Sequence, residues 1–184
     1  MSAAEIVLLI LAVLALVGVV LWSVAQRLDR LHRREFQTRA VLEAQLVRRA
    51  DIAAEVAADG LLDPASAVLV ADAALGSMRA ARIVGDDDSA QARAERGLVE
   101  SELTRTLRTA LDETDPGLPP RSPEAAEAID RLRHSHDRVQ LARRFHNDAV
   151  VQIHHIRRLT LVRLFRLAGR AALPRTFEMD DAPV

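Results

Sequence analysis

From Ile6 to Ala25 the chain reads IVLLILAVLALVGVVLWSVA, about twenty residues without a charge. Wound as a helix that rises roughly 1.5 Å per residue, such a run crosses roughly 30 Å of hydrocarbon. The core helix of a soluble domain ordinarily keeps a polar stripe, whereas Ser23 is the only hydroxyl in this run and stands near its end. A secreted precursor is the stronger rival, because Ser23-Val24-Ala25 has the small-x-small form that signal peptidases cut. Against it, Met1 to Glu5 hold an acid and no base, the run exceeds an ordinary signal core, and Trp22 stands where an interfacial aromatic belongs. The sequence predicts an uncleaved transmembrane anchor over residues 1–26. No basic residue precedes it and Arg27, Arg30, Arg33, Arg34 and Arg39 follow. The positive-inside rule therefore predicts a single-pass protein of the cell membrane, with its amino terminus outside and the rest cytoplasmic.

Outward from this segment, 184 residues of which 49% are hydrophobic and only 3% aromatic make one domain, or one domain plus an appendage. Twenty-five basic and 26 acidic residues give a formal net charge of -1, so no global basic field exists to hold nucleic acid by its phosphates. Cysteine is absent, which excludes disulfides, thiolate metal sites and thiol nucleophiles together. With 7 Gly and 7 Pro the chain is poor in breakers, and Ala, Leu and Arg fill the space, which favours long helices. Every basic side chain apart from histidine is Arg, a coding bias with little functional weight.

The fold predicted is all-α: the transmembrane helix continues into a long antiparallel four-helix bundle, residues 27–160, followed by a basic amphipathic segment and tail, residues 161–184. The first helix should run on to about Asp59, with Leu28, Leu31, Leu42, Leu46, Ile52 and Val56 as its apolar stripe and Glu35 and Arg49 as intrusions on it. Gly60 stops it, Asp63 caps the second helix and Pro64 suits its first turn. The second helix should bury Val68, Ala71, Leu75 and Met78 and end at Gly85. Asp86, Asp87 and Asp88 place acid at the start of the third, which carries Leu98, Leu103, Leu107 and Leu111 to about Glu113. Asp115-Pro116-Gly117 opens the one long connection, and Ser122 caps the fourth helix. There Leu132, Val139, His146, Ile153 and Thr160 recur seven apart, with Ala128, Ala142, Ala149 and Ile156 on the other seam.

Four reversing helices bring the chain back toward the bilayer. The residues arriving there combine Leu159, Leu161, Val162, Leu164, Phe165, Leu167 and Leu173 with Arg157, Arg158, Arg163, Arg166 and Arg170. Such a segment suits contact with an anionic headgroup layer. The competing reading packs the leucines on the bundle and leaves the arginines as a solvated face.

Two stretches, LVRRADI (residues 46–52) and ARRFHNDAV (residues 142–150), resemble the LemA family, whose members carry an amino-terminal anchor followed by a long helical bundle. The resemblance spans nearly the whole chain and is that of a divergent member. His146 stands where the family has an aromatic, and no Phe-Pro element lies between Ile153 and Leu164. It implies a structural role for Arg48, Arg49, Asp51, Arg143, Arg144, Asn147 and Asp148, no established catalysis, and membrane metalloproteases as a class of partner. Asn147 and Asp148 are placed to hydrogen-bond across the bundle to Arg48 or Arg49 and fix its register.

Catalytic chemistry finds little footing. His134 and His136 are two apart and His154 and His155 adjacent, so neither pair shares a helix face. No histidine pair has the metalloprotease spacing, and His146 on the apolar seam reads as a core histidine. Counting from Asp86, a calcium loop would need glycine at Gln91 and an acid at Gly97, so that motif fails. No phosphate loop or nucleophile elbow appears. The expectation is therefore a membrane-anchored scaffold or adaptor, without enzymatic activity, metal or cofactor, that acts on a membrane-associated protein. The rival is a membrane-surface protein that senses anionic lipid and self-associates as a homo-oligomer.

Overall fold

The computed structural model of the protein describes residues 2–87, 89–112, 123–165 and 172–184. Among these there are five helices and no strand: α1 (Ala3–Ala58), α2 (Pro64–Asp86), α3 (Ala90–Asp112), α4 (Pro123–Arg157) and α5 (Thr160–Leu164). The expected connection from Asp115 to Pro120, the end of α3 at Glu113, the Ser122 cap, Asp88, Arg166, Leu167 and Arg170 lie outside the described residues.

α1 is one helix of 56 residues, roughly 84 Å long. Near its start it is long and apolar enough to cross a membrane: an 18-residue window has a mean hydropathy of 3.0, and none of it is buried. α1 ends where Gly60 takes φ +70°, a left-handed conformation that glycine adopts without steric cost. Asp63 caps α2, its Oδ1 accepting the backbone N–H of Ala65 (2.9 Å) and Ser66 (3.1 Å), with Pro64 at the first position. Bonds from the Ser66 hydroxyl, then from these backbone N–H groups, hold its carboxyl below the usual carboxylate range.

Two boundaries differ from the sequence expectation. α2 runs through Gly85 to Asp86, and α3 begins only at Ala90, where the Ser89 hydroxyl accepts the Ala92 N–H (3.1 Å). Asp87 serves the turn, its N–H donating to the Ile83 carbonyl and its side chain accepting the Ser89 N–H, rather than charging the first turn of α3. α4 stops at Arg157, short of the Thr160 end of the heptad: Leu159 N–H bonds to Ile156 O (3.1 Å) in a tightened turn, and α5 restarts beyond it.

The chain divides into two compact units, Met1–Gln37 with Asp148–Pro174, and Thr38–Asn147 with Arg175–Val184. In the second, Ala50, Ala53 and Val56 of α1, Val70 and Ala74 of α2, Leu103 and Leu107 of α3, and Ala128 and Leu132 of α4 form one buried cluster. A smaller one joins Leu42, Leu46, Val139 and Ala142 to Phe177. The first unit has its own, made of Leu28, Ile153, Ile156 and Val162, with Val24 and Leu31 against it.

The seams of α1 and α4 are thus buried largely as their spacing predicts, except that Thr160, beyond the end of α4, is exposed. On α2 the face is turned: Val68 and Leu75 are exposed, and Val70, Ala74 and Ser77 are fully buried instead. Alanines and valines surround α2 on every side, so apolar spacing does not single out a face, and the polar partners of Ser77 decide it. Leu98 of α3 is likewise exposed, while Arg96 and Glu100 are buried.

Candidate functional site

The second unit encloses a charged cluster. Arg49 of α1, Arg96, Glu100 and Thr104 of α3, Ser77 of α2 and His136 of α4 are all at most 2% exposed. Heptad spacing puts Arg49 midway between Leu42 and Val56 on the buried stripe of α1, and Arg96, Glu100 and Thr104 stand four apart on one face of α3. Glu100 is the hub. Its Oε2 accepts Arg49 Nη2 at 2.6 Å, and its Oε1 accepts both Arg96 Nη1 and the Ser77 hydroxyl. Arg49 Nη1 donates to Thr104 Oγ1 (2.9 Å) and to His136 Nδ1 (3.1 Å), and Thr104 donates to the Glu100 carbonyl (3.0 Å). Arg96 also donates to the Ser77 carbonyl (2.7 Å) and, through Nε, to Glu43 at 3.3 Å. Glu43, with 28% of its side chain exposed, is the edge of the cluster toward solvent.

Two guanidiniums thus meet two carboxylates. Burial pushes the Arg49 guanidinium below its ordinary range, and the Glu100 carboxylate, by charge and hydrogen bond, pulls it back up. Arginine stays charged throughout. Burial, then the Arg49 charge, pushes His136 below the usual imidazole range. The ring is therefore neutral, and since arginine only donates, Nδ1 accepts from Arg49, while Nε2 lies 2.9 Å from the Gln140 side-chain nitrogen. The enclosed charges are engaged chiefly with one another, although Arg49 Nε and Arg96 Nη2 are buried without a hydrogen-bond partner among the described residues. Arg49 and Glu100, with no exposed side-chain surface, reach a substrate only if the helices part.

A second polar arrangement lies along segment Arg175–Val184, which has no helix of its own. Phe177 is buried among Leu42, Leu46, Val139 and Ala142. The Asn147 side-chain amide clamps its backbone, accepting the Phe177 N–H at 2.8 Å and donating to its carbonyl at 3.1 Å. Ser101 accepts the Asp180 N–H (3.0 Å), Gln140 donates to the Asp181 carbonyl (2.9 Å), and Arg143 pairs with the Asp181 carboxylate. Burying the phenylalanine contributes about 1.5–3 kcal/mol and each bond about 0.5–1.5.

In the first unit, Val162 of α5 packs with Leu28, Ile153 and Ile156. It leaves Arg158, Leu159, Arg163, Leu164 and Phe165 exposed, Leu164 at 70%. Arg157 is half-buried and donates to the Ala172 carbonyl at 3.0 Å, so it is engaged within the unit rather than free for a headgroup.

The residues singled out by sequence therefore separate. Arg49 is in the buried cluster, Arg143 and Asn147 hold the 175–184 segment, and Arg48, Asp51, Arg144 and Asp148 are exposed. The predicted bond from Asn147 to Arg49 is not made: Asn147 serves Phe177, and Arg49 serves Glu100, Thr104 and His136. Sequence reading missed Arg96, Glu100, Ser77 and His136 as one cluster, although the Arg96-x-x-x-Glu100 spacing on α3 was a visible signal. His146 is buried on its seam. Among the described residues no group of three or more histidines and acids is placed to hold a metal ion. Neither the models of known protein families nor the curated proteins give a match to this chain.

Proposed function

We propose that the chain is a membrane-anchored scaffold or adaptor of the LemA type. The apolar run of α1 crosses the cell membrane once, and the helices after it form an antiparallel four-helix bundle in the cytoplasm. That bundle recruits or regulates a membrane-associated protein, for which a membrane protease is the class the resemblance suggests. One observation carries most of this: the largely exposed apolar run and the buried stripe of Leu28, Leu42, Leu46 and Arg49 belong to one uninterrupted helix. A cut after Ala25 would remove Val24, which packs against the Leu28 cluster, and this contact favours a retained run over a discarded leader. The five arginines from Arg27 to Arg39 favour a cytoplasmic bundle. No catalytic role is proposed, because the strongest titratable groups neutralise one another. Alkaline carbonate extraction, a reporter fused after Val184 and crosslinking in intact membranes test the reading together. Membrane retention, a reporter active inside and a reproducible protein neighbour are expected, and a polypeptide released after Ala25 would overturn it.

The exposed Arg158, Leu159, Arg163, Leu164 and Phe165 favour a second reading, contact with anionic lipid coupled to self-association. Their anchor Val162 packs on Leu28, only six residues, or roughly 9 Å, beyond Trp22. Basic and apolar side chains there fit a headgroup layer. Salt-sensitive binding to anionic vesicles, reduced by Arg158→Ala with Arg163→Ala, would support it, since surface attraction is screened.

A further inference from the structure

We propose that the groove holding segment Arg175–Val184 is a peptide-docking site, occupied here by the chain's own segment. Its partner is a protein that presents an extended stretch with a phenylalanine followed by carboxylates. The proposal rests on the adaptor reading and supplies it with a recognition surface. Four observations converge. Phe177 enters a socket built by rigid helices, Leu42 and Leu46 from α1 and Val139 and Ala142 from α4. Asn147 reads the backbone at that residue from both sides, at 2.8 and 3.1 Å, and Ser101 and Gln140 read it again at Asp180 and Asp181. The following carboxylates meet arginines: Asp181 and Glu178 meet Arg143, the latter at 4.0 Å, and Asp180 meets Arg108 at 3.8 Å.

The fourth observation is Gly97, in the interior of α3. A Cβ there would stand 2.2 Å from the Glu178 carbonyl oxygen and 3.4 Å from its carbon. Glycine weakens a helix interior, and what it gives here is room for a passing backbone. A cover that merely completed the core would be held by apolar side chains alone. This segment buries one aromatic, packs the half-buried Met179 and Val184 against the two core clusters, leaves Thr176, Glu178 and Asp181 exposed, and is held besides through main-chain groups and carboxylates that any extended partner can offer. Because the resident segment is tethered, it competes at a high effective concentration, so an incoming partner must displace it.

The test uses the full chain in nanodiscs and, as probe, a fluorescent peptide of residues 174–184. The expected result is at least tenfold tighter binding to a Phe177→Ala, Asp181→Ala chain than to the wild type. Loss of that binding on adding Asn147→Ala, and at least tenfold weaker binding of a peptide with its phenylalanine replaced by alanine, complete the expectation. No binding to a variant whose helical circular dichroism matches the wild type overturns the proposal. Hydrogen exchange on the wild type reads the same groove without a variant. Phe177 and Asp180 amides that exchange at least a hundredfold faster than that of Leu103 support displacement, and equal protection overturns it. A wild-type dimer lost in Phe177→Ala would seat a second copy in the groove and overturn the assignment to another protein. Failure of the peptide assay leaves membrane anchoring and crosslinked neighbours intact, so it is distinguishable from failure of the adaptor reading.

Discussion

Replacing Glu100 by glutamine is the sharpest perturbation of the buried cluster, because it removes one charge and almost no volume. In the native chain this carboxylate takes Arg49 Nη2 at 2.6 Å on one oxygen, and Arg96 with the Ser77 hydroxyl on the other. Neither Glu100 nor the two arginines has exposed side-chain surface. Glu100→Gln leaves two buried guanidiniums facing one carboxylate, Glu43, which is partly solvated and is bonded by Arg96. Removing one partner of a buried ion pair costs about 3–5 kcal/mol, against a total stability of about 5–15 kcal/mol for a protein of ordinary size. At about 2–4 °C per kcal/mol in a chain of this length, the midpoint of thermal unfolding should fall by about 6–20 °C.

The companion variant separates charge from shape. Arg49→Met together with Glu100→Gln leaves Arg96 with Glu43, a neutral set, and should recover about 1–3 kcal/mol relative to the sum of the single changes. Urea unfolding followed by pulse proteolysis in mild detergent reads both single variants and the double. If each single change cost under about 1 kcal/mol and the two simply added, the cluster would behave as a screened surface pair, and the argument from burial would fail.

Three further outcomes are expected. Because His136 is held below its unfolded value of about 6.5, the unfolded chain binds more protons just below that pH. Stability should therefore be steady above about pH 6.5 and decline as the pH falls toward the folded value, and a urea midpoint measured from pH 7 to 5 should fall less in His136→Gln. Gly97→Ala improves helix propensity by about 1 kcal/mol yet collides with the Glu178 carbonyl, so limited proteolysis should cut segment 175–184 faster while the helices stay folded. Ile153→Ala should cost about 2–5 kcal/mol by opening the fully buried Leu28 cluster, and hydrogen exchange should show the loss concentrated in Asp148–Pro174 and the first unit's part of α1.

Helical content was legible because breakers are few and two of them, Gly60 and Pro64, mark the turn between α1 and α2, and because the α1 and α4 seams repeat with heptad spacing. The buried face of α2 was not legible, since Val68, Ala71, Leu75 and Met78 form as good a stripe as Val70, Ala74 and Ser77. What decides between them is Ser77 meeting Glu100 and Arg96 of α3, a contact between helices that no local pattern carries. Arg49 read as an intrusion on its stripe for the same reason, its partners lying 51 and 87 residues away. Segment 175–184 read as a tail because its one buried apolar residue, Phe177, is followed by three acids, and the arginines that answer them come from α3 and α4.

A charged cluster in an alanine-rich core solves a problem that the apolar seams leave open. Seams that repeat every seven residues fit nearly as well after a slide of one heptad, because alanine, valine and leucine exchange places at modest cost. The charged positions do not exchange. Moving α1 by one heptad would set Leu42 or Val56 where Arg49 stands, and leave Glu100 with Arg96 alone. Moving α3 would present Arg93 or Leu107 in place of Glu100, and moving α4 would present Ile129 or Arg143 in place of His136. Every slide of α1 or α3, and the slide of α4 that brings Arg143 to the site, strands a buried charge or brings like charges together, at about 3–5 kcal/mol, a large share of what holds the fold. The cluster therefore stabilises little against a well-packed apolar core and a great deal against its own neighbouring registers. The register it selects is the one in which Leu42, Val139 and Gly97 stand where Phe177 and the Glu178 carbonyl can be received.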